Sequence, residues 1–268
     1  MKPYLLLLAV LFMLNACSET SDERPNIIVF IADDVSWDDF ACYGNPAVKT
    51  PNIDALAAEG MRFNKVFLTA SSCSPSRVSI MTGRYPHNTG APELHMPLPA
   101  GIPTIGNQLH EAGYFVGASG KWHLGAAAKS GFDLVLDQNF GAGGEARWLE
   151  ALDSTTLDQP FFLWLAAIDA HRGWGKNDFS QQTDLDKIVV PPYMRDDSTT
   201  RADLGHYYDE ITRFDYHIGQ VLAALEERQQ LENTLIIVMA DNGRPFPRDK
   251  TRLYDSGMQT PFIVSWKG

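Results

Sequence analysis

Cys73, Pro75, Ser76 and Arg77, continued by Thr82 and Gly83, form the densest group of chemically capable residues in the chain. Their spacing predicts a loop that turns into a short helix. A proline fits the first helical position, where its missing N–H would have had no partner, so Pro75 is expected there. Val78, Ile80 and Met81 supply an apolar side and Gly83 a stop. Cys73 then sits at a helix N-terminus, where free backbone N–H groups and the helix dipole favour an anion. Arg77 follows one turn later and faces the same point. A cysteine, an anion-attracting helix end and an arginine point to chemistry on an anionic substrate. A free cysteine taken alone is usually buried and inert; Cys73 is set apart by what the rest of the chain brings to it.

Four apolar, β-branched runs end in polar groups. Ile27 to Ile31 leads to Asp33-Asp34, Tyr114 to Ala118 to Lys121 and His123, Phe161 to Ile168 to Asp169 and His171, and Leu235 to Ala240 to Asp241-Asn242. Such runs read as strands buried on both faces of a parallel sheet. Helical patterns lie between them: from Thr50 to Gly60, from Thr104 to Ala112, and a long one through Tyr208, Ile211, Phe214, Ile218, Val221 and Leu225. The alternation implies an α/β fold, a doubly wound, mostly parallel sheet flanked by helices. In such a sheet the strands end on one edge, where ligands bind, so four polar strand ends describe one site. Alternation in an extended segment puts Lys121 and His123 on one side. Asp33, Asp34, Asp241 and Asn242 offer hard oxygen ligands that suit Ca²⁺, with Mg²⁺ second. No Cys/His spacing of a zinc site occurs. A last strand runs from Phe262 to Ser265; were the chain a fragment, that strand would expose an unpaired edge.

The 268 residues carry a formal charge of −11 and are 44% hydrophobic, ample for a core. The acidic balance disfavours a nucleic-acid partner and requires that any cations serving an anionic substrate be gathered in one pocket. Lys2 and the apolar run Tyr4 to Leu14 read as an export signal, too short to span a membrane. The run ends in Leu14-Asn15-Ala16-Cys17, the pattern of a bacterial lipobox. The expected division is therefore a signal peptide over 1–17, a polar tether over 18–24 and a catalytic domain from 25 to 268. Lipid on Cys17 would anchor the exported protein in the periplasm or outer membrane. Cys42 and Cys73 alone make no disulfide framework.

Elsewhere the pattern says less. His87, His110, His206 and His217 read as structural, and His95 in a proline-rich loop reads equally as facing substrate or as a plain surface residue. Trp174 suits sugar stacking or packing. Ala126 to Gln159 carries no assigned role, its Gly141, Gly143 and Gly144 marking a flexible loop. Asn177 to Thr200 reads as a surface excursion.

Cys73-x-Pro75-Ser76-Arg77 with Thr82-Gly83 resembles the signature of the type I sulfatases. The stretches from Thr50 to Gly60 and Arg62 to Phe67, and Lys121-x-His123, are similar to that family too. The resemblance runs from about residue 25 to 268 and covers only the front part of a sulfatase, so it implies the alkaline-phosphatase-like sulfatase fold, incomplete at the C-terminus. It implies that a maturation enzyme oxidises Cys73 to formylglycine, whose hydrate attacks sulfur, and that one Ca²⁺ is held by Asp33, Asp34, Cys73, Asp241 and Asn242. Arg77 would anchor residue 73 and Asp241 act as the nearby base. Lys121, His171 and Lys250 would grip the sulfate, His171 protonating the departing atom, and His123 would help expel sulfate from the enzyme. Asp241-Asn242-Gly243-Arg244-Pro245-Phe246-Pro247 further resembles the heparan N-sulfatase (sulfamidase) branch, in which an arginine stands in the place of Lys250. The implied substrate is a sulfated glycan, with N-sulfate and O-sulfate both open. Two other readings stand beside it: a phosphatase or phosphodiesterase of the same wider group, and an inactive, truncated glycan-binding surface lipoprotein.

Overall fold

The computed structural model describes residues 24–137, 143–174, 178–180 and 182–268. The expected signal peptide, Cys17 and all of the tether but Arg24 lie outside the described residues, as does Gly141. Seven strands form one sheet: β1 (Asn26–Ala32), β2 (Met61–Phe67), β3 (Phe115–Gly120), β4 (Leu134–Asp137), β5 (Phe161–Ala166), β6 (Thr234–Ala240) and β7 (Gln259–Ser265), in the order β2-β7-β6-β1-β5-β3-β4. The central β6, β1, β5 and β3, with β4 beside them, run parallel, while at one side β7 is antiparallel to β6 and β2 is antiparallel to β7. Among the described residues the helices longer than one turn are α1 (Pro51–Glu59), α2 (Cys73–Thr82), α3 (Ile105–Glu111), α4 (Trp148–Asp153), α5 (Ser198–Glu227) and α6 (Asp255–Met258).

The continuous apolar runs are explained by burial on both faces. In β1, Ile28 and Phe30 enter one core while Val29 and Ile31 enter the other; in β5, Phe161, Leu163 and Leu165 alternate in the same way with Phe162 and Trp164. α5 closes the first core with Tyr208, Ile211, Phe214, Ile218, Val221 and Leu225, all buried, and Asp197 caps its start by accepting from Thr200 N at 2.9 Å. Thr104 caps α3 in a capping box with Asn107.

Three expectations are corrected, and two unanticipated strands are added. Phe262 to Ser265 is no open edge, because β7 pairs with β6 on one side and β2 on the other. β2 had no apolar period to reveal it, its side chains being mostly exposed at the sheet margin, and β4 is only four residues long. The glycine-rich stretch expected to be a flexible loop is tied down at Gly143, which donates to Asp169 Oδ1 at 3.1 Å and accepts from Ile168 N at 2.8 Å. Finally, α2 starts at Cys73 itself, with Ser72 as N-cap, so Pro75 is the third helical residue. Its missing N–H is still one of the helix's four unpartnered donors, which is why the proline is tolerated there. Gly83 ends α2 in the left-handed conformation at φ 65°, its N–H donating to Ser79 O.

Candidate functional site

The register of the parallel strands brings the polar ends together. Ala32 of β1 pairs with Ala240 of β6, Ile31 with Ala166 of β5, and Gly120 of β3 with that same Ala166. The residues that follow are knitted to one another: Asp241 N donates to Ala32 O at 3.1 Å, Lys121 N to Ala166 O at 3.0 Å, and Asp33 N to Asp169 O at 2.7 Å. Gly120 has φ 92°, and a Cβ there would run into the carbonyl of Ala166. Only glycine lets β3 pass this close to β5 just before delivering Lys121.

Around this edge the side chains form one buried cluster. Arg77, wholly buried, donates from Nε to Asp241 Oδ2 at 2.7 Å and from Nη1 to Lys121 O at 3.0 Å, and its Nη2 lies 3.8 Å from Asp33 Oδ1. Lys121 Nζ pairs with Asp33 Oδ2. Lys250 Nζ reaches both oxygens of Asp34, at 2.7 and 2.8 Å. Asn242 Nδ2 donates to Asp34 Oδ1 at 2.7 Å, and Asp34 N to Asp241 Oδ1 at 3.1 Å. Cys73 Sγ lies 3.7 Å from Asp34 Oδ1, and His171 Nε2 lies 3.8 Å from Asp34 Oδ2. Nine residues singled out from the sequence thus meet at one point: Asp33, Asp34, Cys73, Arg77, Lys121, His171, Asp241, Asn242 and Lys250.

His123 approaches differently from the expectation. The segment after β3 is not extended, since His123 is in the left-handed region at φ 53°. Lys121 turns down to Asp33, and His123 meets His95, with His95 Nδ1 2.8 Å from His123 Nε2. Both still line a cavity of about 1060 Å³ that also borders Cys73, His171 and Lys250. His95 itself was undecided in the sequence, because no local pattern announces a contact 28 residues away. Trp174 lies on the cavity wall but is engaged in packing: Phe246 stacks on it at 5.7 Å and the Arg172 guanidinium sits 4.4 Å from its ring centre. Asp169, although a strand end, serves a neighbouring brace, gripped by Arg213 through Nε at 2.7 Å to Oδ2 and through Nη2 to Oδ1. His110 contacts Asp133 at 3.2 Å and His87 stacks on Tyr85, both outside the cluster.

Burial and charge set the protonation of the cluster. Burial pushes the Cys73 thiol well above its ordinary range, and Asp33, Asp241 and Asp34 push it further. Burial also raises Asp241, with Asp33 adding to it and Arg77 and Lys121 opposing. Burial works most strongly against the charge of Lys250, yet Asp34, Cys73 and Asp33 together outweigh it and the ammonium is held more firmly than in water. His123 is lowered to about 3, first by burial, then by the positive charges of Lys121 and Arg77, so its imidazole is neutral at physiological pH.

The donor set fits a hard divalent cation. Asp33, Asp34 and Cys73 bring one ligand atom each within 4.8 Å of one another, all buried. Asp33 Oδ1 and Asn242 Oδ1 are buried oxygens without a hydrogen-bond partner. Buried acceptors are normally satisfied, and oxygen donors of this kind are what Ca²⁺ or Mg²⁺ takes.

The chain is similar to known proteins. The family model described as Sulfatase matches residues 25–144 and 145–268. The human N-sulphoglucosamine sulphohydrolase is 32% identical over 96% of this chain and 57% of its own length, and human arylsulfatase A is 26% identical over 91% and 59%. The chain therefore spans a little under three fifths of these curated relatives. Two solved structures share the fold: an enzyme in complex with its substrate D-glucosamine-2-N,6-O-disulfate (TM-score 0.74, 19% identity, 91% of this chain and 71% of that one) and a phosphonate monoester hydrolase of Agrobacterium radiobacter (TM-score 0.77, 18% identity, 91% and 68%).

Proposed function

Since this chain belongs to the sulfatase family, we propose that it hydrolyses sulfate esters or N-sulfate groups of sulfated glycans, with residue 73 as the point of attack. The observation that carries this reading is the convergence of Cys73 with three carboxylates and three cations at one buried strand edge. As a thiol, Cys73 is a poor nucleophile. It is 2% exposed and three carboxylates oppose its ionisation. Oxidation to formylglycine removes that difficulty, because a hydrated aldehyde carries a hydroxyl that needs no stable thiolate.

In this reading Asp241, raised by burial and held by Arg77, takes the proton from the attacking hydroxyl as it bonds to sulfur. Lys121 and Lys250 neutralise the sulfate oxygens as the bond from sulfur to sugar breaks. His171, half exposed on the cavity wall beside Asp34, supplies a proton to the departing oxygen or nitrogen. His123, neutral beside the cluster, removes the proton of the second hydroxyl so that sulfate leaves and the aldehyde returns. Asp33, Asp34, Asp241 and Asn242 would hold a Ca²⁺, which when bound draws electron density from a sulfate oxygen. The three carboxylates of Asp33, Asp34 and Asp241 are balanced by Arg77, Lys121 and Lys250, so a divalent cation would leave the site positive toward a sulfate group. The N-sulfate preference rests on the run from Asp241 to Pro247 and on the 32% identical relative. Export with lipid on Cys17 rests on the sequence alone.

The test uses the natural full-length protein, mass-analysed at residues 17 and 73 and assayed on an N-sulfated glucosamine, an O-sulfated sugar and a phosphate ester. Formylglycine at 73, with sulfate release abolished in C73A, is the expected result. Active protein carrying only the thiol, or a faster phosphate ester, overturns the reading.

A further inference from the structure

We infer that His95 is a positioning residue for the last step of the cycle: it fixes His123 as the tautomer with its proton on Nε2, leaving the Nδ1 lone pair free to act as base toward residue 73. This inference rests on the proposed sulfatase chemistry but is carried by separate observations. His95 Nδ1 and His123 Nε2 lie 2.8 Å apart, a distance that requires one donor and one acceptor. With both rings neutral, only two arrangements satisfy it. Either His123 donates from Nε2, or His95 donates from Nδ1 and the His123 proton moves to its own Nδ1.

The surroundings decide between them. His123 Nδ1 is buried and has no hydrogen-bond partner. The charges that act most strongly on the ring after burial are the positive Lys121 and Arg77, with His95 next and Asp241 weaker in the opposite sense. A buried N–H with no acceptor is rarer and costlier than a bare acceptor lone pair, and positive charge near the ring adds to that preference. The proton therefore belongs on Nε2, donated to His95, whose other nitrogen is left to solvent on an exposed loop.

The contact is also conformationally enforced. Both histidines are in the left-handed region, His95 at φ 66° and His123 at φ 53°, which non-glycine residues adopt only when their surroundings hold them. The His95 loop is tied to the helix that bears Cys73, since His95 N donates to Ser74 Oγ at 2.7 Å. The loop, the helix and the end of β3 thus form one frame for the two rings. In the expulsion step, Nδ1 of His123 takes the proton of the free hydroxyl on sulfated residue 73. The O–H electron pair becomes the second bond of the aldehyde, and the bond from carbon to the sulfate oxygen breaks with its pair leaving on sulfate. The opposite tautomer has no lone pair to offer at Nδ1 and cannot begin this step.

The test compares the full-length wild type with H95G and H95N. Glycine removes the ring while tolerating the positive φ. Asparagine also tolerates it and presents an acceptor oxygen where Nδ1 stood. Imidazole ¹⁵N NMR of His123, assigned with H123Q, should show the Nε2–H form in wild type and H95N and a mixture in H95G. The value of kcat should fall roughly 10- to 100-fold in H95G, as for loss of an orienting partner, with KM within about twofold and sulfate retained on residue 73 in quenched samples. H95N should recover most of kcat. A wild-type His123 protonated at Nδ1, or an H95G protein with unchanged tautomer and kcat, overturns the inference. Wild-type protein that releases no sulfate sinks the functional reading instead, and the NMR comparison still decides the tautomer.

Discussion

Arg77→Ala should destabilise the fold strongly, and by an amount that depends on pH. Arg77 is wholly buried and holds Asp241 at 2.7 Å while standing 3.8 Å from Asp33. Its removal leaves the two buried carboxylates with Lys121 as their nearest cation, a loss of about 3–5 kcal/mol for breaking a buried pair by deleting one partner. The deletion also opens a cavity, which costs stability at every pH. The charge effect can be separated from the cavity effect. Asp241 is already raised by burial, and Arg77 is one of the two groups that oppose this. Without Arg77 its folded pKa rises further above the unfolded value of about 4. The folded variant then holds a proton that the unfolded chain releases, so its stability is greatest at low pH and is lost as pH climbs toward the folded pKa. Urea unfolding of variant and wild type at about pH 8 and about pH 5.5 should show a smaller deficit at the lower pH, by up to about 1.4 kcal/mol for each pH unit by which the loss of Arg77 raises Asp241. A deficit that is the same at both values would mean that lost packing, not uncompensated charge, is what Arg77 prevents, and would refute this account of the cluster.

Two further outcomes follow from the same geometry. Adding Ca²⁺ to chelator-treated protein at about a hundred times its dissociation constant should stabilise it by about 2.7 kcal/mol, a rise in melting temperature of roughly 5–10 °C for a domain of this size. D34N should abolish most of that shift, and an unshifted wild type would remove the cation site. Gly120→Ala should cost about 3 kcal/mol or more by forcing a side chain against the Ala166 carbonyl at φ 92°; thermal unfolding within 1 °C or so of wild type would show that the close approach of β3 and β5 is not required.

Much of the parallel core was legible because its physics is local. Strands buried on both faces must be apolar throughout, as Ile27 to Ile31 and Phe161 to Ile168 are, and a helix covering one face must be striped, as α5 is. The polar strand ends were legible for a related reason: an aspartate pair after such a run has no place in the core, and the parallel direction puts these ends on one edge. What stayed hidden depends on contacts far apart in the chain. β2 is exposed and charged, and becomes a strand only because β7 offers it a partner. Asp169 carries the same strand-end signature as Asp33, yet turns to Arg213 on α5, 44 residues away. The turn at His123 and its contact with His95 are likewise set by the loop docking on Ser74, which no local pattern encodes.

The departures from ordinary backbone preference support the same location for the chemistry. Among the described residues six non-glycine positions have positive φ, and three of them are Asp34, His95 and His123. Such conformations cost of order 1–3 kcal/mol each and concentrate where function over-determines the structure. The charged cluster is a second departure. A buried set of three carboxylates and three cations is no more stabilising than apolar packing of the same volume, because desolvation cancels most of the attraction. Selection for stability alone would have no reason to keep Asp33, Asp34 and Asp241 at the ends of the most deeply buried strands. Their neutral balance does explain how a chain of formal charge −11 can receive an anion at all. The acidic residues at the site are already paired with Arg77, Lys121 and Lys250, and in the proposed reading a bound divalent cation tips that edge toward an anion.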